Sequence, residues 1–274
     1  MRWTRGHQSS MLEDRRGGGG RIAGGLGVVG TLVALVLSMI FGVDLTGLLG
    51  GGGAGGGEPI PEDQDRDLEL KQFVGFVLDD AQGTWAKLLP GYRPAHLVLF
   101  TDAVQTRCGY ADAGVGPFYC SGDERVYIDL SFYRVLDQKF EAPGDFAQAY
   151  VIAHEIGHHV QNLTGVFERT ARETGRNPRS KNELSIRQEL QADCYAGVWA
   201  YHTGKRDLLE AGDIEEGLAA AAAVGDDTLQ QRATGHVQPE TWTHGSAKQR
   251  AKWFRTGFES GDPDRCDTFG VAQM

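Results

Sequence analysis

The sequence lacks any excess of positive charge. Its 274 residues include 27 Lys and Arg against 37 Asp and Glu, which gives a formal net charge of −10. Residues 1–57 hold five arginines against three acidic residues, so the other 217 residues carry −12. A nucleic-acid-binding surface needs clustered cations to displace the counterions of the phosphates. The composition therefore excludes a nucleic-acid partner from the prediction.

Charged residues are absent between Ile22 and Val43. As a helix, these 22 residues would extend over about 33 Å, enough to cross the hydrocarbon core of a bilayer. Cations precede the run and Asp44 follows it, so the positive-inside rule predicts a cytoplasmic N-terminus over residues 1–21. The run is long and no clean Ala-x-Ala site follows it, which favours an uncleaved transmembrane helix at residues 22–43 over a cleaved signal peptide.

Glycine divides the chain, because residues 1–57 contain 18 of its 39 glycines. Together with the acidic, proline-containing stretch that follows, the glycine-rich segment predicts a flexible linker over residues 44–67. Residues 68–274 are then one domain on the extracytoplasmic side, long enough to bury a sizeable core.

Cysteine is scarce, and none of the four cysteines forms a CxxC pair, which argues against a thiolate zinc site. An even number of cysteines in a translocated domain favours disulfides. Cys108 and Cys120 are separated by a turn-rich stretch that suits a local disulfide, which leaves Cys194 with Cys266. The alternative is that Cys194 is a buried free thiol.

The domain combines helical and strand patterns. The strand patterns come early and the helical ones later, which predicts the α+β class. Apolar spacing predicts helices over 68–89, 145–163, 183–202, 213–224 and 246–258, and short strands over 96–100, 118–120 and 125–130.

The most informative segment is the run AYVIAHEIGHHVQ over residues 149–161. His154 and His158 are four residues apart, so in a helix they share one face and both imidazoles can reach one ion. Glu155 lies beside the first ligand and can touch a metal-bound water without binding the metal. This is the HExxH arrangement of zinc peptidases.

A catalytic zinc ion needs a third protein ligand, and no histidine follows His158 at the metzincin spacing. Glu189 is the best carboxylate, because Asp193 follows four residues later and a second carboxylate can orient a ligand histidine. The alternative for this pair is a solvated helix face. The other candidates are Glu168, Glu173 and Glu183.

Two further histidines and one predicted strand could also take part in the proposed site. His159 lies about 140° around the helix from His154, so it is interpreted as structural. His244 precedes a predicted helix, where it is either a donor to the oxyanion of a peptidase or a residue packed at the helix N-terminus. The strand Val126–Leu130 either offers its edge to an extended peptide or is an ordinary core strand.

Several separated blocks of sequence resemble a bacterial family of membrane-anchored neutral zinc metallopeptidases. The resemblance implies a zincin-like, gluzincin-type fold in which His154, His158 and Glu189 bind zinc and Glu155 is the catalytic base. It implies no cleavage specificity. The blocks are Met1–Trp3 with Glu13–Arg16, Cys108-Gly109 with Gly116–Cys120, Val126–Leu130 with Phe132, Ala149–Gln161, Glu189–Gly197, Gly225–Asp227, Thr243–Ser246, Gln249-Arg250 and Trp253-Phe254.

The sequence thus predicts a single-pass, membrane-anchored zinc peptidase with one Zn²⁺ per chain and a peptide or protein substrate. Glu155 and His244 would be its catalytic residues. Two other classes of function remain open. One is a zincin scaffold used as a binding or chaperone-like module, with structural or vestigial zinc, and the other is a zinc amidase that acts on wall peptides.

Overall fold

The computed structural model describes residues 1–17 and 60–272. These residues form a four-stranded sheet, a two-stranded hairpin and eight α-helices, so the predicted α+β class is confirmed. The predicted transmembrane helix at 22–43 lies outside the described residues. Within the two described ranges, no helix has both the length and the apolar character that a membrane crossing requires.

The main sheet is mixed. Its order is β1–β2–β6–β5, in which β1, β2 and β6 are parallel and β5 is antiparallel. The two inner strands are nearly continuous apolar runs because side chains on both of their faces are buried in hydrophobic clusters. The strands are β1 (Leu12–Asp14), β2 (His96–Phe100), β3 (Ala103–Thr106), β4 (Gly109–Asp112), β5 (Phe118–Cys120) and β6 (Arg125–Asp129), and β3 pairs with β4 in the hairpin.

The prediction that Val126–Leu130 offers its edge to a peptide is wrong. These residues form β6, whose backbone pairs with β2 on one side and with β5 on the other. The side chains of Val126, Tyr127 and Ile128 are buried. The short strand β5 covers the side of β6 that was expected to be open, because the chain turns back after Cys120 and pairs antiparallel.

The first residues of the chain belong to the same fold. In β1, Leu12 lies opposite Leu97 of β2 in a parallel pair. The side chain of Met1 is buried in the core, and Trp3 packs edge-to-face on Phe73. Residues before the predicted linker thus contribute a strand to the sheet of the domain predicted at 68–274. A three-residue strand is too short to show the alternation that reveals a strand in sequence.

Five of the eight helices coincide with predicted ones to within a few residues, namely α1, α3, α5, α6 and α8. The unpredicted helices α2, α4 and α7 are short and bury only two residues each, so each offers few apolar positions from which a helix could be recognised in sequence. The helices are α1 (Leu68–Leu88), α2 (Ser131–Gln138), α3 (Asp145–Leu163), α4 (Val166–Arg176), α5 (Lys181–Gly204), α6 (Asp213–Ala223), α7 (Asp226–Thr234) and α8 (Ala247–Ser260).

Helix α5 is contacted closely by α3 and α8, and glycine makes both contacts possible. A Cβ atom on Gly157 of α3 would lie 3.0 Å from the Cα of Ala192, and one on Gly257 of α8 would overlap the carbonyl oxygen of Cys194. A side chain at either position would push the backbones apart. The close approach brings the HExxH face of α3, the middle of α5 and the start of α8 to one place.

Both predicted disulfides are present. Cys108 is bonded to Cys120, and Cys194 is bonded to Cys266, 72 positions further along the chain. The second bond ties the end of the chain to the buried face of α5. The alternative of a free thiol at Cys194 is therefore wrong.

Replacing Gly257 with alanine should lower the free energy of unfolding by about 3 kcal/mol, because the new methyl group overlaps backbone of α5. Gly83 on α1 is the matched control, since a Cβ there meets nothing within 4 Å and Gly83→Ala should stabilise the helix by up to about 1 kcal/mol. Denaturant unfolding without reductant measures both. Equal effects of the two substitutions would show that the α5–α8 contact is not tight.

Candidate metal centre

Three side chains from α3 and α5 converge on one point. The Nε2 atom of His154 lies 3.2 Å from Oε2 of Glu189, and the Nε2 atom of His158 lies 3.4 Å from Oε1 of the same carboxylate. One ligand atom from each residue lies within 4.8 Å of the other two. The structure thus brings the three predicted zinc ligands together.

The second ring nitrogen of each histidine is held by another side chain. Nδ1 of His154 lies 2.8 Å from Oδ1 of Asp193, and Nδ1 of His158 lies 2.9 Å from Oε1 of Gln161. Each oxygen accepts a hydrogen bond from Nδ1, which fixes the ring and leaves Nε2 to face Glu189. Two imidazoles and one carboxylate with this support fit the donor set of a catalytic zinc ion.

Asp193 is completely buried and is paired with Arg250 of α8. Nε of Arg250 donates to Oδ2 at 2.8 Å, and Nη2 donates to Oδ1 at 2.9 Å, a bidentate arrangement. The hydroxyl of Tyr150 also donates to Oδ1. Asp193 therefore contacts one of the two predicted ligand histidines, His154, and two residues without a predicted role hold it there.

These charges determine which groups carry protons in the metal-free protein. Burial raises the pKa of Asp193, but Arg250 and His154 lower it by more, so its pKa lies below the usual range. Burial lowers the pKa of His154, yet Asp193 and Glu189 outweigh it and raise that pKa to about 10. Burial likewise raises the pKa of Glu189, and the neighbouring imidazoles bring it well below its usual value. These shifts favour a protonated, cationic ring of His154 between the carboxylates of Glu189 and Asp193. A metal ion that binds Nε2 would have to replace the proton on that atom.

Glu155 follows His154 on α3 and is 7% exposed. Burial raises the pKa of its carboxyl group, and the nearby rings of His158 and His154 oppose that effect only in part. A carboxyl group whose pKa is shifted toward neutrality can both accept and donate a proton near physiological pH. Its position beside the metal ligands suits such a role.

His244 lies in the loop before α8 and is oriented by Asp226, the first residue of α7. Oδ2 of Asp226 accepts hydrogen bonds from the backbone N–H groups of Thr243, His244 and Gly245 at 2.8, 2.6 and 2.9 Å. Its Oδ1 lies 3.2 Å from Nδ1 of His244. Burial lowers the pKa of His244, but Asp226 and Glu189 raise it above its usual value.

The other interpretation of His244 is a residue packed at the N-terminus of α8. The N-terminus of α8 is capped by Ser246, whose side chain accepts from the backbone of Gln249 while the Gln249 side chain accepts from the backbone of Ser246. Ser246, and not His244, therefore caps this helix, and the side chain of His244 is 34% exposed.

The other three candidates for the third zinc ligand are not part of this group of side chains. Glu168 and Glu183 form ion pairs with Arg172 and Arg187 one turn along their own helices, and Glu173 is exposed.

His159 is buried, as its predicted structural role requires. Its Nε2 lies 2.6 Å from the carbonyl oxygen of Arg93, and its Nδ1 lies 2.9 Å from the hydroxyl of Tyr119. Tyr119 belongs to β5, so this contact holds the edge strand of the sheet beside α3.

The described residues contain one more group of side chains that could surround a cation, formed by Asp145, Asp213 and Glu216. The amino group of Met1 lies 2.6 Å from Asp145 and 3.2 Å from Asp213. A cationic group of the chain itself thus sits among these carboxylates.

Sequence reasoning gave no role to four residues that support the centre: Tyr150, Gln161, Asp226 and Arg250. Gln161 stands three residues after His158, and that helical spacing could have revealed it. Asp226 and Arg250 come from distant parts of the chain, and no local pattern links them to the HExxH segment.

A histidine pair on one helix, a carboxylate on a second helix and a buried acid behind the first histidine are the parts of a zinc metallopeptidase site. The sequence profile of the family described as "putative neutral zinc metallopeptidase" matches residues 1–269, and the chain belongs to this family. The family implies zinc as the metal.

Similar proteins occur in distant bacteria. The chain is 42% identical over 285 residues to the uncharacterized protein YpfJ of Escherichia coli strain K12, covering 98% of this chain and 99% of the relative. It is 49% identical over 207 residues to the uncharacterized protein Rv2575 of Mycobacterium tuberculosis strain H37Rv, covering 72% of this chain and 69% of the relative. No solved structure matches the chain significantly.

Zinc binding at pH 8 should release at least one proton, because the pKa of His154 near 10 keeps its ring protonated until the metal takes Nε2, and a zinc-bound water whose pKa falls toward neutrality would release a second. Apparent zinc affinity should then rise by about tenfold or more per pH unit between pH 7 and pH 9. Calorimetry in buffers of different ionisation enthalpy measures the proton count. Binding without proton release at pH 8 would contradict the charge assignment.

Proposed function

We propose that the protein is a zinc-dependent peptidase in which His154, His158 and Glu189 hold one zinc ion. The observation that carries the proposal is the common direction of the two Nε2 atoms toward Glu189, with both Nδ1 atoms bound by other side chains. Three protein ligands leave a fourth position open, as in catalytic zinc sites. Zinc bound there would polarise a carbonyl group and lower the pKa of a water molecule toward neutrality.

Glu155 is the proton carrier of the proposed reaction. Its carboxylate takes a proton from the attacking water and passes it to the leaving amide nitrogen. Burial raises the pKa of Glu155, which favours the protonated carboxyl group that acts as the acid in the second half of the reaction.

His244 stabilises the negative oxygen that forms on the scissile carbonyl. Asp226 accepts from the Nδ1 side of the ring, and the raised pKa of His244 favours the imidazolium form, in which Nε2 also donates. The three backbone hydrogen bonds to Asp226 keep the loop, and with it the ring, in place.

The substrate is an extended peptide that lies along β5. Among the described strands, β5 pairs only with β6, so its other side is an edge of the sheet. Tyr119 of β5 contacts His159, so β5 lies beside the HExxH helix, and the Tyr119 ring also stacks on Phe167, whose ring is 6.1 Å from that of His158. An extended chain can bind such an edge through main-chain hydrogen bonds.

The domain works in an oxidising compartment, attached to a membrane by the apolar run at 22–43. The two disulfides support the compartment, because such bonds persist outside the cytosol of most organisms. The absence of charge over 22 residues supports the attachment.

Substituting Glu155 with glutamine should preserve zinc binding and lower peptide hydrolysis by about 10²- to 10⁴-fold, because the proton carrier is lost while the ligands remain. The matched control is Glu168→Gln, whose carboxylate pairs with Arg172 at the surface and should leave hydrolysis unchanged. The measurement is zinc content and cleavage of a mixed peptide library by the full chain.

The outcomes separate the classes of function. One zinc per chain with cleavage lost only in Glu155→Gln supports a peptidase, whereas unchanged cleavage in that variant contradicts the mechanism. One zinc with hydrolysis of wall peptides alone indicates the amidase. One zinc with no hydrolysis of either substrate indicates a binding module.

Replacing His244 with alanine should lower kcat by about 10²- to 10³-fold with zinc content unchanged, because the donor to the developing oxyanion is removed. His202→Ala is the control, since His202 lies at the C-terminal end of α5, away from Glu189, and its ring contacts the carbonyl oxygen of Gly261 after α8. Steady-state kinetics on a cleaved library peptide measures both. Equal kcat values for the two variants would remove His244 from the mechanism.

A further inference from the structure

A buried ion-pair network joins the two stretches that flank the apolar run. Nη2 of Arg16 lies 2.6 Å from Oδ2 of Asp14 and 2.5 Å from Oδ2 of Asp65, and Nη1 lies 3.1 Å from Oδ1 of Asp65. The side chains of Arg16, Asp14 and Asp65 are only 4%, 4% and 1% exposed. Lys71 of α1 adds a contact of 2.9 Å to Asp14. Separating such buried partners leaves uncompensated charges, so the network holds both stretches together.

The stretch before the run is also docked on α1. Ser9 donates to Oδ1 of Asp79 at 2.7 Å, and Nε2 of His7 lies 2.8 Å from Oδ2 of the same carboxylate. A Cβ atom on Gly75 would lie 3.3 Å from Cβ of Ser9. With the pairing of β1 to β2, these contacts make residues 1–17 an integral part of the domain.

This docking restricts how the chain can meet a membrane. A bilayer cannot pass between two hydrogen-bonded strands of one sheet or between Arg16 and Asp65. A single crossing by residues 22–43 would separate those two side chains by about 30 Å of hydrocarbon. Arg16 and Asp65, which lie on either side of the apolar run in sequence, are instead in direct contact.

We propose that residues 1–17 and the catalytic domain lie on the same side of the membrane to which the chain is attached. The proposal differs from the single-pass arrangement predicted from the sequence, in which the N-terminus is cytoplasmic and the domain is on the other side. The proposal rests on the membrane attachment proposed above and is independent of peptidase activity. Because the domain contains two disulfides, the N-terminal stretch reaches the oxidising side together with it.

Labelling of single cysteines in the full chain, in cells that carry it in their membrane, tests the proposal. The positions are Arg5→Cys and Arg172→Cys, whose native side chains are 81% and 60% exposed. The four native cysteines are bonded, so an unsubstituted chain provides the background. A membrane-impermeant maleimide is added before and after permeabilisation.

Both positions should react under the same condition. Reaction of one position in intact cells and of the other only after permeabilisation would overturn the shared side. Recovery of the chain in the soluble fraction, rather than in washed membranes, would overturn the membrane attachment on which the proposal rests.

A disulfide between Ser9→Cys and Gly75→Cys provides a second readout. Their Cβ separation of 3.3 Å is close to the 3.5–4.5 Å typical of disulfides. A protease site inserted among Gly50–Gly57 divides the chain into an N-terminal and a C-terminal fragment. After cleavage in the membrane, the engineered disulfide should keep the two fragments joined on a denaturing gel without reductant. The control pairs Ser9→Cys with Gly83→Cys, two turns further along α1 with nothing within 4 Å, and its fragments should separate. Separation in both variants would contradict the docking of residues 1–17.

Discussion

The candidate centre depends on one buried ion pair between Arg250 and Asp193. Both side chains are almost or completely removed from solvent, so each needs the other to compensate its charge. The pair fixes Asp193 against Nδ1 of His154, and this contact turns Nε2 toward Glu189. The three helices α3, α5 and α8 therefore meet through a chain of charges that ends at the proposed metal ligands.

The ion pair can form only because the helices approach closely. Gly157 brings α3 against α5, and Gly257 brings α8 against α5, at distances that a larger residue would not allow. The disulfide from Cys194 to Cys266 holds the end of the chain on the same helix. Backbone packing thus provides the rigidity that the proposed catalytic site needs.

The sequence predicted the parts of this structure that are encoded locally. The long helices have apolar faces, and the ligand spacing on α3 is a property of one helix. The inner position of β6, the strand at Leu12–Asp14 and the partner of Asp193 depend on segments far apart in the chain, so no local pattern contains them. Arg250 illustrates the limit, because its block was visible in sequence but its role appears only when α8 packs on α5.

Anomalous diffraction at the zinc absorption edge, from crystals of the full chain loaded with one equivalent of zinc, tests the central claim most directly. The account predicts a single peak about 2.0–2.1 Å from Nε2 of both His154 and His158, and about 2.0–2.2 Å from an oxygen of Glu189, with no fourth protein ligand. A peak elsewhere, or a fourth side chain that closes the coordination shell, would contradict an open catalytic zinc site.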